Sequence, residues 1–180
     1  MRPITFVTSN PNKAREASAI LGLPLGHRAL DLHELQSMEL RLIVEHKARE
    51  AYRTLRRPII VEDVGLYLDA WDGFPGPFIK WLQDTMTYAR LARALPKTNR
   101  RAKWIVAYGL YDGTRFRYVE GVARGKMASR PAGLGRGWGF DPWFIPDGHE
   151  TSYAALGPET KNRISARSRA LKKLRRLLRP

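Results

Sequence analysis

Short β-branched runs alternate with longer stripes of apolar residues at helical spacing, and that order predicts an α/β fold. Ile4 to Val7 reads as a first strand. It turns at Thr8-Ser9-Asn10 into a helix whose inner face carries Ala14, Ala17, Ile20 and Leu21, with Gly22 as its stop. Asn10 suits the N-cap and Pro11 the first helical position. Asp31 to Gln36 is a polar loop, and from Glu39 the residues Leu40, Ile43, Val44, Ala48, Ala51 and Leu55 mark a long amphipathic helix. Behind Pro58, Ile59 to Val61 predicts a buried strand that ends at Glu62 and Asp63. Gly65, Gly73, Pro75, Gly76 and Pro77 then predict a tightly shaped loop, because glycine allows backbone angles that other residues resist and proline fixes its own.

In the second half, Ile79 to Leu82 and Tyr88 to Leu95 are helical in pattern, and the polar segment Pro96 to Arg101 interrupts them. Trp104 to Tyr111 and Arg115 to Ala123 flank Asp112-Gly113, read as a two-residue hairpin turn, with the second strand continuing toward Ala128. Gly133, Gly135, Gly137 and Gly139 fall at alternate positions, and Trp143 to Ile145 reads as another short strand. From Glu159 a last helix carries Ile164, Leu171, Leu174 and Leu178 as its apolar stripe. A hairpin among long helices favours a mixed sheet over a purely parallel one.

Composition narrows the class. With 180 residues and 43% hydrophobic content, residues 1–180 are expected to form one well-buried domain. No apolar run approaches the ~20 residues that span a bilayer, and Met1-Arg2-Pro3 leads into a strand without a signal-peptide core, so a cytoplasmic, membrane-free protein is expected. Zero Cys and four scattered His exclude disulfides, thiolate metal sites and Cys nucleophiles, leaving oxygen ligands for any metal. The net charge of +15 suits a polyanionic partner, and nine of the cations lie from Lys161 onward (161, 163, 167, 169, 172, 173, 175, 176, 179) in a segment that holds no acid.

Candidate chemistry follows from this frame. Asn10 and Pro11 leave unpaired backbone N–H groups at a helix start, beside the hydroxyls of Thr8 and Ser9 and with Lys13 one turn inside, a geometry that attracts phosphate. Aromatics on the glycine-rich loop suit base stacking. No phosphate loop of the GxxxxGK[ST] type, no GxSxG elbow and no HExxH is present. Glu34, Glu62 and Asp63, with Asp141 after the glycine-rich loop, are the carboxylates available for Mg²⁺. Lys13, Lys47, Lys80, Lys161 and Arg167 are the cations available to offset a triphosphate. The implied reaction is metal-assisted hydrolysis of a nucleotide.

Five separated blocks, TSNPNK (8–13), DLHELQ (31–36), VEDVGL (61–66) with GFPGPFIKW (73–81), GWGFDPWFIPDG (137–148) and KNRISARSRAL (161–171), resemble those of the inosine triphosphate pyrophosphatase family, the Ham1-like pyrophosphatases of non-standard purine nucleotides. The resemblance implies an elongated mixed α/β sheet with flanking helices and two lobes around a central nucleotide cleft, usually in a homodimer. It also implies Mg²⁺-dependent cleavage of ITP, dITP or XTP between the α and β phosphates, to monophosphate and pyrophosphate, in cleaning of the nucleotide pool. By the same match Thr8, Ser9, Asn10 and Lys13 bind the triphosphate, Lys47 and Lys80 contact phosphates, and Glu34 and Glu62 belong to the metal site. Asp63 is the catalytic base or a metal ligand. Trp138, Phe140 and Asp141 resemble the base-pocket loop, and Lys161, Ser165 and Arg167 the closing contacts to the nucleotide.

Three positions depart from the family pattern: Val64 stands where Ser or Thr is usual, Ala155 where Glu is common, and Ala166 where the family reads Ser-His-Arg. The last puts base preference in question more than reaction type. Two other readings stand beside this one: a nucleic-acid-binding protein, motivated by the basic C-terminal helix, and a related pyrophosphatase for another modified nucleotide. The basic surface also reads as a solvated face.

Overall fold

The computed structural model describes residues 4–22 and 25–178. The reading of Met1-Arg2-Pro3 and of Arg179 lies outside them. Its centre is a mixed sheet in the order β2 (Gly26–Arg28), β1 (Thr5–Val7), β3 (Ile59–Leu68), β5 (Arg101–Tyr111), β6 (Phe116–Met127), β7 (Phe144–Pro146). The two-residue β4 (Pro75–Gly76) pairs with the far end of β3. β2, β1 and β3 run parallel, and all pairings beyond β3 are antiparallel.

Helices cover both faces. On one, α1 (Pro11–Leu21) and α6 (Ala166–Leu178) bury Ala17, Leu21, Ala170, Leu171 and Leu174 against Phe6, Ile60, Val106 and Tyr108. On the other, α2 (Leu40–Leu55) buries Leu40, Val44, Ala48 and Ala51 against Ile59, Val61 and Ala107. The shorter α3 (Ile79–Thr85), α4 (Tyr88–Ala94) and α5 (Tyr153–Ile164) complete the molecule. Asn10 caps α1 by accepting from the Asn12 amide at 2.9 Å, and Gly22 ends it at φ 66°. Among the described residues no helix is long and apolar enough to cross a membrane.

The structure corrects several sequence expectations. β3 does not stop at Val61 but runs ten residues to Leu68, because β5 continues to pair with it as far as Leu68↔Ala102. Glu62, Asp63 and Gly65 are therefore strand residues. Gly65 leaves room for its neighbours, since a Cβ there would come within 2.7 Å of the Tyr67 ring and 3.1 Å of the Gly76 carbonyl carbon. The hairpin between β5 and β6 closes over Asp112 to Arg115, with Tyr111 opposite Phe116, and not over two residues. The Asp112 carboxylate organises it by accepting from the Thr114 and Arg115 amides. The last helix is two helices, broken at Ser165, whose extended backbone (φ −65°, ψ 160°) lets its Oγ accept from the Ser168 amide and cap α6.

The packing of α6 on β6 yields one stability prediction. A Cβ at Gly121 would collide with the backbone of Ala166 and Ala170. Gly121→Ala is expected to lower stability by about 1–3 kcal/mol through overpacking, seen as a lower melting temperature; an unchanged melt would mean that α6 shifts freely on the sheet.

What positions the site is a gap in the sheet edge. β1 pairs with β3 only as far as Val7↔Val61, and β4 begins at Leu66↔Gly76. Between them Glu62 to Gly65 pair with β5 alone. A cleft enters there and is lined from both faces of the sheet.

Candidate active site

The cleft has a volume of about 800 Å³, and its walls come from the β1–α1 turn, the 30–34 loop, α2, β3, the glycine-rich loop and the α5–α6 junction. All sequence-predicted site residues line it: Thr8, Ser9, Asn10, Lys13, Glu34, Lys47, Glu62, Asp63, Lys80, Trp138, Phe140, Asp141, Lys161, Ser165 and Arg167. Strand geometry divides them. Successive side chains on a strand point to opposite faces, so Glu62 and Asp63, adjacent in sequence, enter two different clusters.

Asp63 faces α2. One of its oxygens accepts from Lys47 Nζ at 2.7 Å and the other from the Val64 amide at 2.8 Å. The same ammonium lies 3.4 Å from Glu34, which Lys80 approaches at 3.7 Å from the solvent side. Burial works against charge on Lys47, but the Asp63 carboxylate and then Glu34 outweigh it, and its pKa is raised above the ordinary lysine value. Two carboxylates thus converge on one cation at the mouth of the cleft. Beside them, Thr8 Oγ1 accepts from the Asn10 amide at 3.1 Å and fixes the turn that leads into α1.

Glu62 faces α1 and α6 and is fully enclosed. Arg167 grips it with two hydrogen bonds, Nε to Oε2 at 3.0 Å and Nη2 to Oε1 at 2.9 Å, Tyr108 donates to it, and Lys13 Nζ lies 3.3 Å away. Burial alone would raise its pKa; Arg167 and Lys13 reverse that and pull it down to about 2. With both oxygens committed, Glu62 sits beneath the site as the anchor of Arg167 and does not join Glu34 and Asp63. Asp141 is likewise remote from that pair, since its Oδ2 accepts from Lys161 at 2.7 Å and from the Trp138 amide at 2.9 Å. Of the three metal-site carboxylates implied by the sequence, Glu34 and Asp63 come together at Lys47 and Glu62 lies apart with Arg167. Among the described residues no group of three or more acidic or His side chains gathers as a metal cage.

Glu16 was absent from the sequence reading and is central here. From the second turn of α1 it accepts from Lys161 Nζ at 2.6 Å and Trp138 Nε1 at 2.7 Å, and pairs with Arg167. Burial opposes its charge, yet Arg167 and Lys161 more than offset that and lower its pKa. The only available signal was spacing: Glu16 lies three residues after Lys13, on the helix flank next to the buried Ala17. The result is a chain of alternating charges along the cleft floor, Asp141, Lys161, Glu16, Arg167, Glu62, Lys13.

Above this chain lies an aromatic wall. The Trp138 ring has Lys161 Nζ and the Arg167 guanidinium each 5.1 Å from its centroid. Phe140 is held between Tyr88 at 4.2 Å and Trp104 at 4.3 Å. Ala166, 3% exposed, places only a methyl group at this wall.

A mixed α/β sheet pierced by such a cleft, with paired lysines and carboxylates at its mouth and aromatic rings at its inner end, defines a protein built for a ligand that joins charged groups to a flat ring. The chain belongs to the Ham1 family, whose model matches residues 4–177. It is 38% identical to the dITP/XTP pyrophosphatase of Methanopyrus kandleri, over 94% of this chain and 93% of that one. It is 35% identical to the inosine triphosphate pyrophosphatase of Scheffersomyces stipitis, over 99% and 98%. Among solved structures, a HAM1 protein from Coxiella burnetii superposes with a TM-score of 0.86 at 27% identity, over 99% of this chain and 98% of that one.

Proposed function

We propose that the protein hydrolyses non-standard purine nucleoside triphosphates, ITP, dITP and XTP, to the monophosphate and pyrophosphate, and so cleans the nucleotide pool. The observation that carries this reading is the two-ended cleft, with Lys47, Asp63 and Glu34 at one end and Trp138 and Phe140 at the other. It is supported by relatives named dITP/XTP and inosine triphosphate pyrophosphatases that match almost end to end.

The charges of the site argue for Mg²⁺ as the cofactor. Along the floor Lys13, Lys161 and Arg167 are matched by Glu16, Glu62 and Asp141, and at the mouth Lys47 and Lys80 are matched by Glu34 and Asp63. A triphosphate entering this balanced site needs positive charge that the side chains do not have to spare. Glu34 and Asp63 fit the usual Mg²⁺ set of one or two carboxylates completed by water and phosphate oxygens, and they would hold it. When bound, it neutralises phosphate oxygens and lowers the pKa of water. Asp63 takes the proton as a water oxygen bonds to one phosphorus of the α–β bridge, and the bridging P–O bond breaks. Lys47 and Lys13 receive the phosphate charge, and Trp138 and Phe140 orient the base.

Ala166 sets the expected selectivity. A wall that offers a methyl group rejects a wrong base weakly, whereas a group that hydrogen-bonds the right base leaves itself unpaired with the wrong one. Ala166→His is expected to sharpen discrimination of ITP from ATP by about ten- to a hundredfold. The test of the whole reading is kcat/KM for inosine, xanthosine, adenosine and guanosine triphosphates with Mg²⁺, on both proteins. A preference for ATP or GTP in the unmodified protein would overturn it.

The working form is proposed as a homodimer in the cytoplasm, where the nucleotide pool lies. Leu35, Met38, Leu42, Phe74 and Trp81 are large apolar side chains left at least 40% exposed, and Leu35 and Trp81 border one shallow hollow.

A further inference from the structure

The loop that carries Glu34 has few attachments. Residues 29–39 join β2 to α2 without helix or strand, and most of them are exposed. Leu30 and Leu32 rest against the apolar cluster under α2, but His33, Glu34, Leu35 and Gln36 all lie at the surface. Among the described residues, one backbone group between Leu30 and Met38 hydrogen-bonds another element. It is the His33 amide, which donates to both oxygens of Glu50 on α2, at 3.2 and 3.1 Å. The His33 ring meets the same carboxylate, Nδ1 to Oε1 at 2.9 Å.

Glu50 follows Lys47 by three residues, so the two stand on adjacent turns of one helix flank. Successive turns of α2 thus take successive residues of the loop: Glu50 the backbone of His33, and Lys47 the carboxylate of Glu34 at 3.4 Å. A ligand acts on these two attachments differently. Lys47 lines the cleft and also holds Asp63 at 2.7 Å, so incoming phosphate competes with Glu34 for its ammonium. Lys80 reaches Glu34 only at 3.7 Å from a side chain 67% exposed. Glu50 is not among the residues that line the cleft, and its remaining close neighbour is His46 at 3.9 Å. Its grip on His33 survives when the cleft fills. Fixing that amide fixes the chain one residue before Glu34, whose Cα follows about 3.8 Å on.

We propose that Glu50 is a positioning residue for the metal site: it clamps the loop at His33, so that Glu34 stays beside Asp63 when phosphate draws Lys47 away. This rests on the reading of Glu34 and Asp63 as the Mg²⁺ carboxylates. Groups that orient metal ligands without touching the ion contribute about ten- to a hundredfold in metal affinity or activity.

The test is Mn²⁺ binding, followed by the EPR signal of the free ion, in the unmodified protein, Glu50→Ala, Glu50→Gln, Glu45→Ala and Asp63→Asn. Alanine suits a helix, so α2 forms in both alanine variants. Glu45→Ala is the control, since it removes the same charge from α2 and its partner Arg49 belongs to the same helix. Glu50→Ala is expected to weaken Mn²⁺ binding by about tenfold, and to raise the Mg²⁺ concentration for half-maximal ITP hydrolysis by the same factor. Its kcat at saturating Mg²⁺ should stay near the unmodified value, and hydrogen exchange at the His33 amide should quicken. Glu50→Gln keeps an acceptor for that amide and is expected to remain within about threefold of the unmodified protein. A loss in Glu50→Ala no greater than in Glu45→Ala, an equal loss in Glu50→Gln, or a lower kcat at unchanged Mn²⁺ affinity would overturn the clamp. Weak Mn²⁺ binding in Asp63→Asn beside normal binding in Glu50→Ala would overturn the clamp and leave the metal site standing. Full Mn²⁺ affinity in Asp63→Asn would overturn the metal-site reading, and the clamp with it.

Discussion

Asp63→Asn is expected to lower kcat by roughly a thousandfold, within the range of about 10²–10⁴ that a positioned general base contributes. The amide keeps one acceptor oxygen, enough for the Val64 amide at 2.8 Å but not also for Lys47 at 2.7 Å, and the backbone pairing with β5 does not involve the side chain, so the strand should survive. What it cannot do is take a proton from water, or share with Glu34 the charge that would hold a cation. A melting temperature close to that of the unmodified protein, with turnover almost abolished, is the outcome that assigns the chemistry to this side chain. Turnover near the original value would remove Asp63 from the reaction.

Arg167→Met is expected to damage the protein differently, by lowering stability by about 3–5 kcal/mol. Glu62 is 6% exposed, and removing the guanidinium leaves its carboxylate enclosed with only Lys13 and Tyr108 for partners. Adding Glu62→Gln should recover part of the loss, because a neutral amide still accepts from Tyr108 and needs no counter-charge. If the double variant were less stable than Arg167→Met by the full effect of a second independent lesion, the coupling would be absent.

The same carboxylate predicts the acid limit of stability. Its pKa falls from an ordinary 4.5 to about 2 in the folded protein. A lowered folded pKa contributes stability that is complete above the unfolded value and is lost as pH falls through the folded one, here between about 4.5 and about 2, for at most about 3 kcal/mol. Urea midpoints measured down that range should fall steeply, and less so in Glu62→Gln.

The start of α1 and the length of α2 were legible because each rests on local chemistry: a capping Asn10 before Pro11, and apolar residues at helical spacing from Leu40 to Leu55. β2 was not, since Gly26, His27 and Arg28 are all exposed and show no apolar signal; it exists by pairing with β1. The reach of β3 past Val61 was hidden for a similar reason, as its acids read as a strand end until β5 is seen beside them. Glu62 and Asp63 illustrate the limit for the site. Their place at the cleft was readable from the sequence blocks, but their separation into two clusters follows from the alternation of a strand longer than expected. Glu16 needed the tertiary structure, because its partners Trp138, Lys161 and Arg167 are distant in sequence.

Cleavage at the α–β phosphate bridge of a non-standard purine nucleotide can be read from the products. With ITP and Mg²⁺, inosine monophosphate and pyrophosphate are expected in equal amounts, with no diphosphate at any time. Release of inosine diphosphate and orthophosphate would contradict it.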